Sequence, residues 1–268
     1  MGRDRNLMLR LSQILASFAG ILVYLFLALP VLVIVLSAFS PEAYPQFPPQ
    51  GISLRWFYAL LDDESWRDSL IISVILLVVV TPITVMLGTF AAWALARLEF
   101  RYHEALQAFI LSPLMIPQVV LGIALLYVLT AAGIAGMISG LVIGHIVVAL
   151  PYVVRTVSVS LAAMDRRLEV VSMSLGAGRW YTFQHVTLPL IKPGMVAGAV
   201  FAGVTSFGEV SVSLFLSAPD TITIPVRVFN YVDQTFDPTV NAISVIFIVV
   251  AVAILMVIEK AIGLVKIL

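Results

Sequence analysis

The sequence predicts an all-α membrane protein that crosses the bilayer several times. Of its 268 residues, 61% are hydrophobic and only 11% are charged, and the mean hydropathy is +1.09. Soluble domains carry about 25% charged residues, so the composition excludes an ordinary soluble domain. Long apolar runs alternate with short polar segments, as in a chain that crosses a membrane repeatedly. There is no cysteine, so neither a disulfide framework nor a thiolate metal site exists.

Six apolar stretches are long enough to span a membrane. A helix needs about 20 apolar residues to cross about 30 Å of hydrocarbon. We expect spans near residues 11–39, 69–95, 105–131, 136–161, 195–216 and 242–264, in one domain that occupies residues 1–268. The first span follows three arginines, as a signal peptide would, but it exceeds the roughly 7–15 apolar residues of a cleavable core. We therefore predict that it is retained.

A short amphipathic helix is predicted over residues 52–61, between the first two spans. Its apolar side chains recur at helical spacing: Leu54, Phe57, Tyr58 and Leu61. Such a helix is typical of the membrane interface, and Trp56 and Trp66 are expected to anchor it there.

Basic residues predict the orientation of the chain. With a cytoplasmic N-terminus, twelve of the 15 lysines and arginines lie on the cytoplasmic side: Arg3, Arg5, Arg10, Arg97, Arg101, Arg155, Arg166, Arg167, Arg179, Lys192, Lys260 and Lys266. Only Arg55, Arg67 and Arg227 lie outside, which satisfies the positive-inside rule. An even number of spans puts both termini, and the loop at residues 165–194, in the cytoplasm. The outer segments collect acidic residues, including Glu42, Asp62, Asp220 and Asp237.

The loop at residues 165–194 is too polar to lie in hydrocarbon. Its charged and titratable residues include Arg166, Arg167, Glu169, Arg179, His185 and Lys192. Apolar periodicity predicts one helix from Arg166 to Leu175, a break at Gly176-Ala177-Gly178, and a second helix that ends at Leu188-Pro189. From the residues alone, this hairpin either rests on its own bundle or the membrane surface, or docks onto a partner.

This loop resembles the cytoplasmic signature loop of permease subunits of binding-protein-dependent ABC importers. The family pattern is Glu-Ala-Ala-x-x-x-Gly followed by a hydrophobic-x-Leu-Pro segment. Gly176 corresponds to the glycine, and residues 186–190, with Pro193-Gly194, correspond to the closing part. Val170, Val171 and Ser172 stand where Glu-Ala-Ala would be, and Glu169 lies one residue earlier.

Two further segments resemble the polyamine-type branch of these permeases. They are the proline-bracketed run at residues 112–117 and Leu150-Pro151-Tyr152 before the loop. The resemblance implies that the loop is a coupling helix, between the fourth and fifth of about six spans, seated on a separate ATPase. The coupling residues it implies are Glu169, Ser172, Leu175, Gly176, Ala177, Gly178, Arg179 and Trp180.

The same resemblance implies a function: the permease subunit of an ATP-driven ABC importer, in the bacterial inner membrane, that carries a small cationic amine such as spermidine or putrescine. The implied partners are an ABC ATPase dimer, a second and homologous permease, an extracytoplasmic substrate-binding protein and membrane lipid. No nucleic-acid partner is expected. The chain contains no G-x-x-x-x-G-K-[ST], H-E-x-x-H or G-x-S-x-G motif. We therefore expect a transport subunit that is no enzyme and carries no cofactor, with ATP and Mg²⁺ on the partner ATPase.

Glu209 is the only acidic residue well inside an expected span. A carboxylate exposed in mid-bilayer costs a few kcal/mol, so such residues usually face a cavity or a partner. One hypothesis is that Glu209 lines the substrate path and attracts a cation, with aromatic faces from Phe207, Tyr127, Tyr152 and Trp93. The alternative is a glutamate satisfied by Ser or Thr hydroxyls, by His145, or by the partner permease, with the aromatic residues serving as packing.

His145 is the single intramembrane histidine, and we predict a buried, hydrogen-bonded role for it rather than proton relay. No second ligand stands at metal spacing near His103 or His185, so no metal site is assigned.

Other functions stay open. Related importers could carry an aminoalkyl phosphonate, an amino-acid-like solute, ferric iron or thiamine. A gradient-driven secondary transporter would require titratable pairs in several spans, and a membrane enzyme would require a nucleophile and base or a metal cluster. The sequence shows neither pattern.

Overall fold

The computed structural model describes residues 2–44, 47–98, 101–234 and 238–262, and every regular element within these ranges is helical. The all-α class is thus confirmed. The expected end of the last span at residues 263–264, together with Lys266 and Asp237, lies outside the described residues.

The helices follow one another in chain order. They are α1 (Gly2–Ala38), α2 (Arg55–Asp62), α3 (Glu64–Arg97), α4 (His103–Leu111), α5 (Gln118–Ala131), α6 (Ile138–Ala163), α7 (Arg167–Ser174), α8 (Arg179–Thr182), α9 (Leu188–Leu190), α10 (Lys192–Phe207), α11 (Ser211–Leu216), α12 (Ile224–Gln234) and α13 (Thr239–Ile262). A 3₁₀ turn covers Ser112–Leu114, and a π-helical turn covers Phe183–Thr187.

The chain divides into two compact units, the first made of the described parts of residues 1–63 and 234–248. In it, the indole Nε1 of Trp56 donates to the carbonyl of Ser40 at 3.0 Å. The rings of Phe39 and Phe57 lie 5.1 Å apart. The amphipathic helix is confirmed as α2. The expectation that Trp56 anchors the membrane interface is wrong, because Trp56 is buried. Its indole N–H donates to a carbonyl inside the unit instead of to the interface.

The second unit contains the described parts of residues 64–233 and 249–268. Trp66 is buried in it and meets the ring of Tyr231 edge-on at 5.3 Å, so Trp66 is not an interface anchor either. Helices α3, α6 and α10 pack together, and α11 packs against α5 and α6. Their buried aliphatic side chains, among them Leu76, Val80 and Val153, form the core.

Small residues allow α10 to approach α6 closely. A Cβ at Gly194 would collide with the Ser160 hydroxyl and the Thr156 carbonyl, and a Cβ at Gly198 would lie 2.9 Å from Thr156 Oγ1. Close backbone approach across small residues is how helices pack where lipid removes the hydrophobic drive between them.

Three helical segments among the described residues are long and apolar enough to cross a membrane, Leu15–Ala38, Glu64–Arg97 and Ile138–Ala163. Two bent pairs raise the number to five: His103–Leu114 with Gln118–Ala131, bent by 110°, and Arg179–Leu190 with Lys192–Phe207, bent by 70°. The apolar part of α13, Thr239–Ala253, is shorter. The polytopic class is confirmed, and six spans stays a prediction.

Two expected spans contain breaks. Residues 105–131 bend sharply before Pro117, whose ring cannot supply a helical N–H. Residues 195–216 are interrupted after Phe207 and resume as α11 at Ser211. Gly208 is the C-cap of α10.

The hairpin formed by residues 167–190 follows the prediction in its first half. Helix α7 ends at Ser174, and Gly176 adopts a φ of +91°, which favours glycine. The second helical run ends at Leu190, one residue after the predicted end at Leu188-Pro189, and the chain bends by 70° before α10. A proline clashes with the carbonyl four residues earlier in a regular helix, and the wider π-helical turn immediately before Pro189 makes room for it.

Candidate functional site

Glu169 holds the hairpin to the end of α3. Its Oε2 accepts a hydrogen bond from Arg97 Nε at 2.6 Å, and its Oε1 accepts one from Thr187 Oγ1 at 2.6 Å. The side chains of Arg97 and Glu169 are only 14% and 8% exposed. One carboxylate therefore joins three separate elements: α3, α7 and the π-helical turn.

Local hydrogen bonds place Glu169 in the first turn of α7. The Asp165 carboxylate accepts from Arg167 N at 2.9 Å and so satisfies one of the free N–H groups at the helix start. The Glu169 carboxylate also lies near the positive end of the helix dipole. On the next turn, the hydroxyls of Ser172 and Thr182 lie 3.0 Å apart and connect α7 to α8.

Aromatic rings make a second connection between the hairpin and α3. Phe183 lies 5.1 Å from Trp93 and 5.6 Å from Phe90, and Trp180 stacks on Phe90 at 6.3 Å. Stacked and edge-on pairs of this kind contribute about 0.5–1.5 kcal/mol each beyond the area they bury. Trp93, expected on the substrate path, instead packs against the hairpin.

The turn between α7 and α8 points away from these contacts. Leu175 is 83% exposed, and a Cβ built on Gly176 or Gly178 meets nothing within 4 Å. The predicted coupling residues thus form two groups. Glu169 and Ser172 hold the hairpin together, whereas the tip, defined as residues 175–178, is free surface on the described chain. Arg179 and Trp180 flank the tip.

Glu209 lies in the break between α10 and α11 and is only 4% exposed. Its Oε1 accepts a hydrogen bond from Val212 N at 2.8 Å, so the carboxylate satisfies one of the free N–H groups at the start of α11. Phe207, two residues earlier, is buried as well. In this conformation the carboxylate caps a helix.

His145 on α6 bridges the same break from the other side. Its Nδ1 lies 2.9 Å from the Ser206 hydroxyl at the end of α10, and its Nε2 lies 2.8 Å from the Ser213 hydroxyl on α11. All three side chains are buried. The predicted hydrogen-bonded role of His145 is confirmed. With both ring nitrogens bonded to serines, His145 is not the group that satisfies Glu209.

The other expected path residues make their contacts apart from Glu209. Tyr152 stacks on Phe201 of α10 at 6.1 Å, and Tyr127 on α5 is 76% exposed. Of the four aromatic candidates, Phe207 is the one next to Glu209 in the sequence, two residues before it.

The sequence did not predict Arg97 and Thr187 as partners of Glu169. It did not predict Ser206 and Ser213 as the partners of His145 either. In the sequence, Arg97 serves only as one of the basic residues that predict the orientation of the chain. Arg97 and Glu169 are 72 positions apart in the sequence, so no local pattern indicates the pairing.

A family comparison identifies the scaffold that carries these contacts. Residues 84–263 match the family described as "Binding-protein-dependent transport system inner membrane component". The match covers more than half of the chain, from within α3 through the hairpin and beyond α12. The chain belongs to this family.

Three relatives align with this chain over more than four fifths of its length. The spermidine/putrescine permease protein PotC of Haemophilus influenzae is 29% identical over 231 residues, which cover 86% of this chain and 90% of PotC. The putrescine permease protein PotI of Escherichia coli K12 is 30% identical, with 84% and 82% coverage. The protein of Salmonella paratyphi A named "Putative 2-aminoethylphosphonate transport system permease protein PhnV" is 27% identical, with 90% and 91% coverage.

Solved structures share the fold of this permease. A bacterial ABC transporter involved in the import of the acidic polysaccharide alginate matches with a TM-score of 0.76 at 16% identity, over 94% of this chain and 96% of that one. The same kind of transporter, in complex with an alginate pentasaccharide-bound periplasmic protein, matches with a TM-score of 0.69. At this identity the likeness establishes the fold alone.

Together these findings identify a multi-pass inner-membrane permease subunit of an ABC importer. The resemblance seen in the signature loop is confirmed, although its front half departs from the family pattern. The family is one of transport subunits, in agreement with the expectation that the chain is no enzyme.

Proposed function

We propose that this permease forms the membrane path for a small cationic amine of the spermidine or putrescine type. The observation that carries the proposal is the pair of relatives PotC and PotI, each aligned over more than four fifths of both chains. A second candidate substrate is an aminoalkyl phosphonate, because PhnV aligns over 90% of this chain. Both candidates contain an amine that is protonated at neutral pH.

Glu209 supports the cationic assignment through its charge. Its carboxylate lies in a break between two helices, a place where transporters commonly form substrate sites. Val212 N engages Oε1 in this conformation, and opening of the break would free the carboxylate for a cation. We propose that this carboxylate attracts the amine.

Transport needs partners that the chain does not contain. We propose that the hairpin tip docks onto an ABC ATPase, which carries ATP and Mg²⁺. A second, homologous permease completes the path, and an extracytoplasmic binding protein delivers the substrate on the acid-rich face. Both termini and the hairpin then lie in the cytoplasm. Support comes from the exposed tip, the basic residues on that side and the family's dependence on a binding protein.

The contacts of the hairpin would allow it to transmit a movement of the ATPase to α3. A lever must move as a unit, and the Arg97–Glu169–Thr187 contacts and the Phe90–Phe183 stack join it to α3. Closure of the ATPases would displace the hairpin and α3 together. The path would then open outward and afterwards inward.

Uptake into vesicles tests the proposal. The permease is reconstituted with the ATPase, second permease and binding protein of its transporter, and labelled putrescine, spermidine and 2-aminoethylphosphonate are offered with or without internal ATP. We expect amine uptake only with ATP. Uptake driven by a proton or sodium gradient without ATP would overturn the ABC mechanism, and uptake of none of the three amines would overturn the substrate assignment.

Two variants separate the charge of Glu209 from its capping role. Glu209→Gln keeps an oxygen that accepts from Val212 N but removes the charge, whereas Glu209→Ala removes both, with a loss of about 1 kcal/mol of stability for the cap. If the charge attracts the amine, both variants lose uptake, while Glu209→Gln melts as the wild type does. Wild-type uptake by Glu209→Gln would leave only the capping role.

A further inference from the structure

A cavity of about 210 Å³ lies between the end of α3 and the hairpin. Trp93 and Phe183 line its apolar part, while Arg97, Arg166, Arg179 and Glu169 line its polar part. No contact described above accounts for this space. It is separate from the break that contains Glu209 and from the exposed tip.

The cavity presents excess positive charge. Three guanidinium groups line it with one carboxylate, and that carboxylate is already bonded to Arg97 Nε and Thr187 Oγ1. The Nη2 of Arg97 is buried and has no hydrogen-bond partner in the described part of the chain. A buried donor without an acceptor costs about 1–3 kcal/mol. The arrangement therefore favours an anion with several acceptor oxygens.

The apolar surface beside the cavity indicates where this anion comes from. Phe90 lies seven residues before Arg97 on α3, which is about 10 Å further into the apolar helix at 1.5 Å per residue. Phe90 is 41% exposed, and Trp180, stacked on it, is 57% exposed. An exposed aromatic pair between an apolar helix and the hairpin, next to arginines at the helix end, has the chemistry of the boundary between acyl chains and head groups.

We propose that this cavity binds the head-group phosphate of an anionic phospholipid from the adjacent leaflet. Arg97 Nη2, Arg166 and Arg179 supply donors to the phosphate oxygens, and an acyl chain lies along Phe90 and Trp180. Guanidinium groups match phosphate geometry, and free inorganic phosphate would leave the aromatic pair uncovered. The bound lipid would connect α3, α7 and α8. This site goes beyond the proposed transport function and does not depend on the identity of the transported amine.

Brominated lipids test the site, because bromine on an acyl chain quenches nearby tryptophans and Trp180 lies along the proposed acyl chain. The full-length chain is placed in phosphatidylcholine vesicles that contain a minor fraction of either brominated phosphatidylglycerol or brominated phosphatidylcholine. We expect stronger quenching by the glycerol lipid. Arg166→Gln with Arg179→Gln should weaken its association about fivefold per arginine, because that is the approximate contribution of one basic side chain near an anionic lipid.

Three controls keep the result specific. Arg101→Gln removes an exposed arginine that does not line the cavity and should leave the preference unchanged. The double variant Arg166→Lys, Arg179→Lys keeps both charges and should retain most of the preference for phosphatidylglycerol. Trp180→Phe preserves an aromatic contact with Phe90 and should lower the excess quenching, because it removes the tryptophan beside the acyl chain.

Other outcomes would overturn the proposal. Equal quenching by the two lipids, with the wild-type chain folded, would exclude a head-group site. If inorganic phosphate abolishes the quenching, and phosphatidylglycerol quenches no more strongly than phosphatidylcholine, the cavity binds a free anion. If the double glutamine variant keeps its lipid preference but no longer co-purifies with the ATPase, the arginines bind an acidic surface of that partner instead.

Discussion

Arg97 at the end of α3 and Glu169 in the first turn of α7 form a buried ion pair at 2.6 Å, although 72 residues separate them in the chain. Thr187 donates to the other oxygen of the same carboxylate. The family glutamate of the signature loop is absent here, and the glutamate one residue earlier is directed inward to its own chain. In this permease, Glu169 fastens the hairpin to α3 of the same chain through its hydrogen bonds to Arg97 and Thr187.

Loss of the Glu169 charge should loosen the hairpin. Glu169→Gln keeps the side-chain volume but leaves Arg97 without its counter-charge, and removing one partner of a buried pair costs about 3–5 kcal/mol. We expect amides of residues 167–190 to exchange hydrogen faster and ATP-driven uptake to fall. Glu104→Gln, at an exposed position on α4, is the matched control. Unchanged exchange in Glu169→Gln would contradict the role of the pair.

The hairpin tip should tolerate substitution structurally but not functionally. Leu175 is 83% exposed, so Leu175→Asp should leave the melting temperature of the chain unchanged while it abolishes co-purification with the ATPase. Tyr102→Asp, at another exposed site outside the hairpin, should retain the ATPase. Full retention of the ATPase by Leu175→Asp would rule out docking through the tip.

The His145 network should contribute to stability across the α10–α11 break. His145→Leu leaves the Ser206 and Ser213 hydroxyls buried without this partner, at about 1–3 kcal/mol each. Denaturation in detergent should show a lower free energy of unfolding for His145→Leu than for the wild type. Thr84→Val is the control, because its buried hydroxyl has no hydrogen-bond partner in the described chain and its removal should be neutral or stabilising. Similar stability of both variants would show that the network contributes nothing.

Gly194 should be the less tolerant of two helical glycines. Gly194→Ala forces α10 away from α6, since its Cβ meets Ser160 and Thr156, and overpacking of this kind costs about 1–3 kcal/mol. Gly20→Ala meets nothing within 4 Å and should stabilise its helix by about 1 kcal/mol. Thermal unfolding of the two variants should shift in opposite directions. A Gly194→Ala variant as stable as the wild type would show that α10 and α6 adjust freely.

The all-α membrane class and the hairpin break at Gly176 were predictable because their causes are local. Hydropathy over about 20 residues decides whether a helix can lie in hydrocarbon. A glycine between two apolar periodicities indicates a turn. Proline is also a local signal, and the helical run of the hairpin ends one residue after Pro189.

Hydrophobicity determined the membrane character and where the polar hairpin falls in the chain, since each depends on neighbours in sequence. Only the tertiary structure decided what the isolated charges do. Glu169 pairs with Arg97, Glu209 caps α11 and His145 joins two serines, because burial in a low-dielectric interior makes each polar group take whichever partner the fold brings within hydrogen-bond distance. That choice depends on helix packing, as does the arginine-lined cavity.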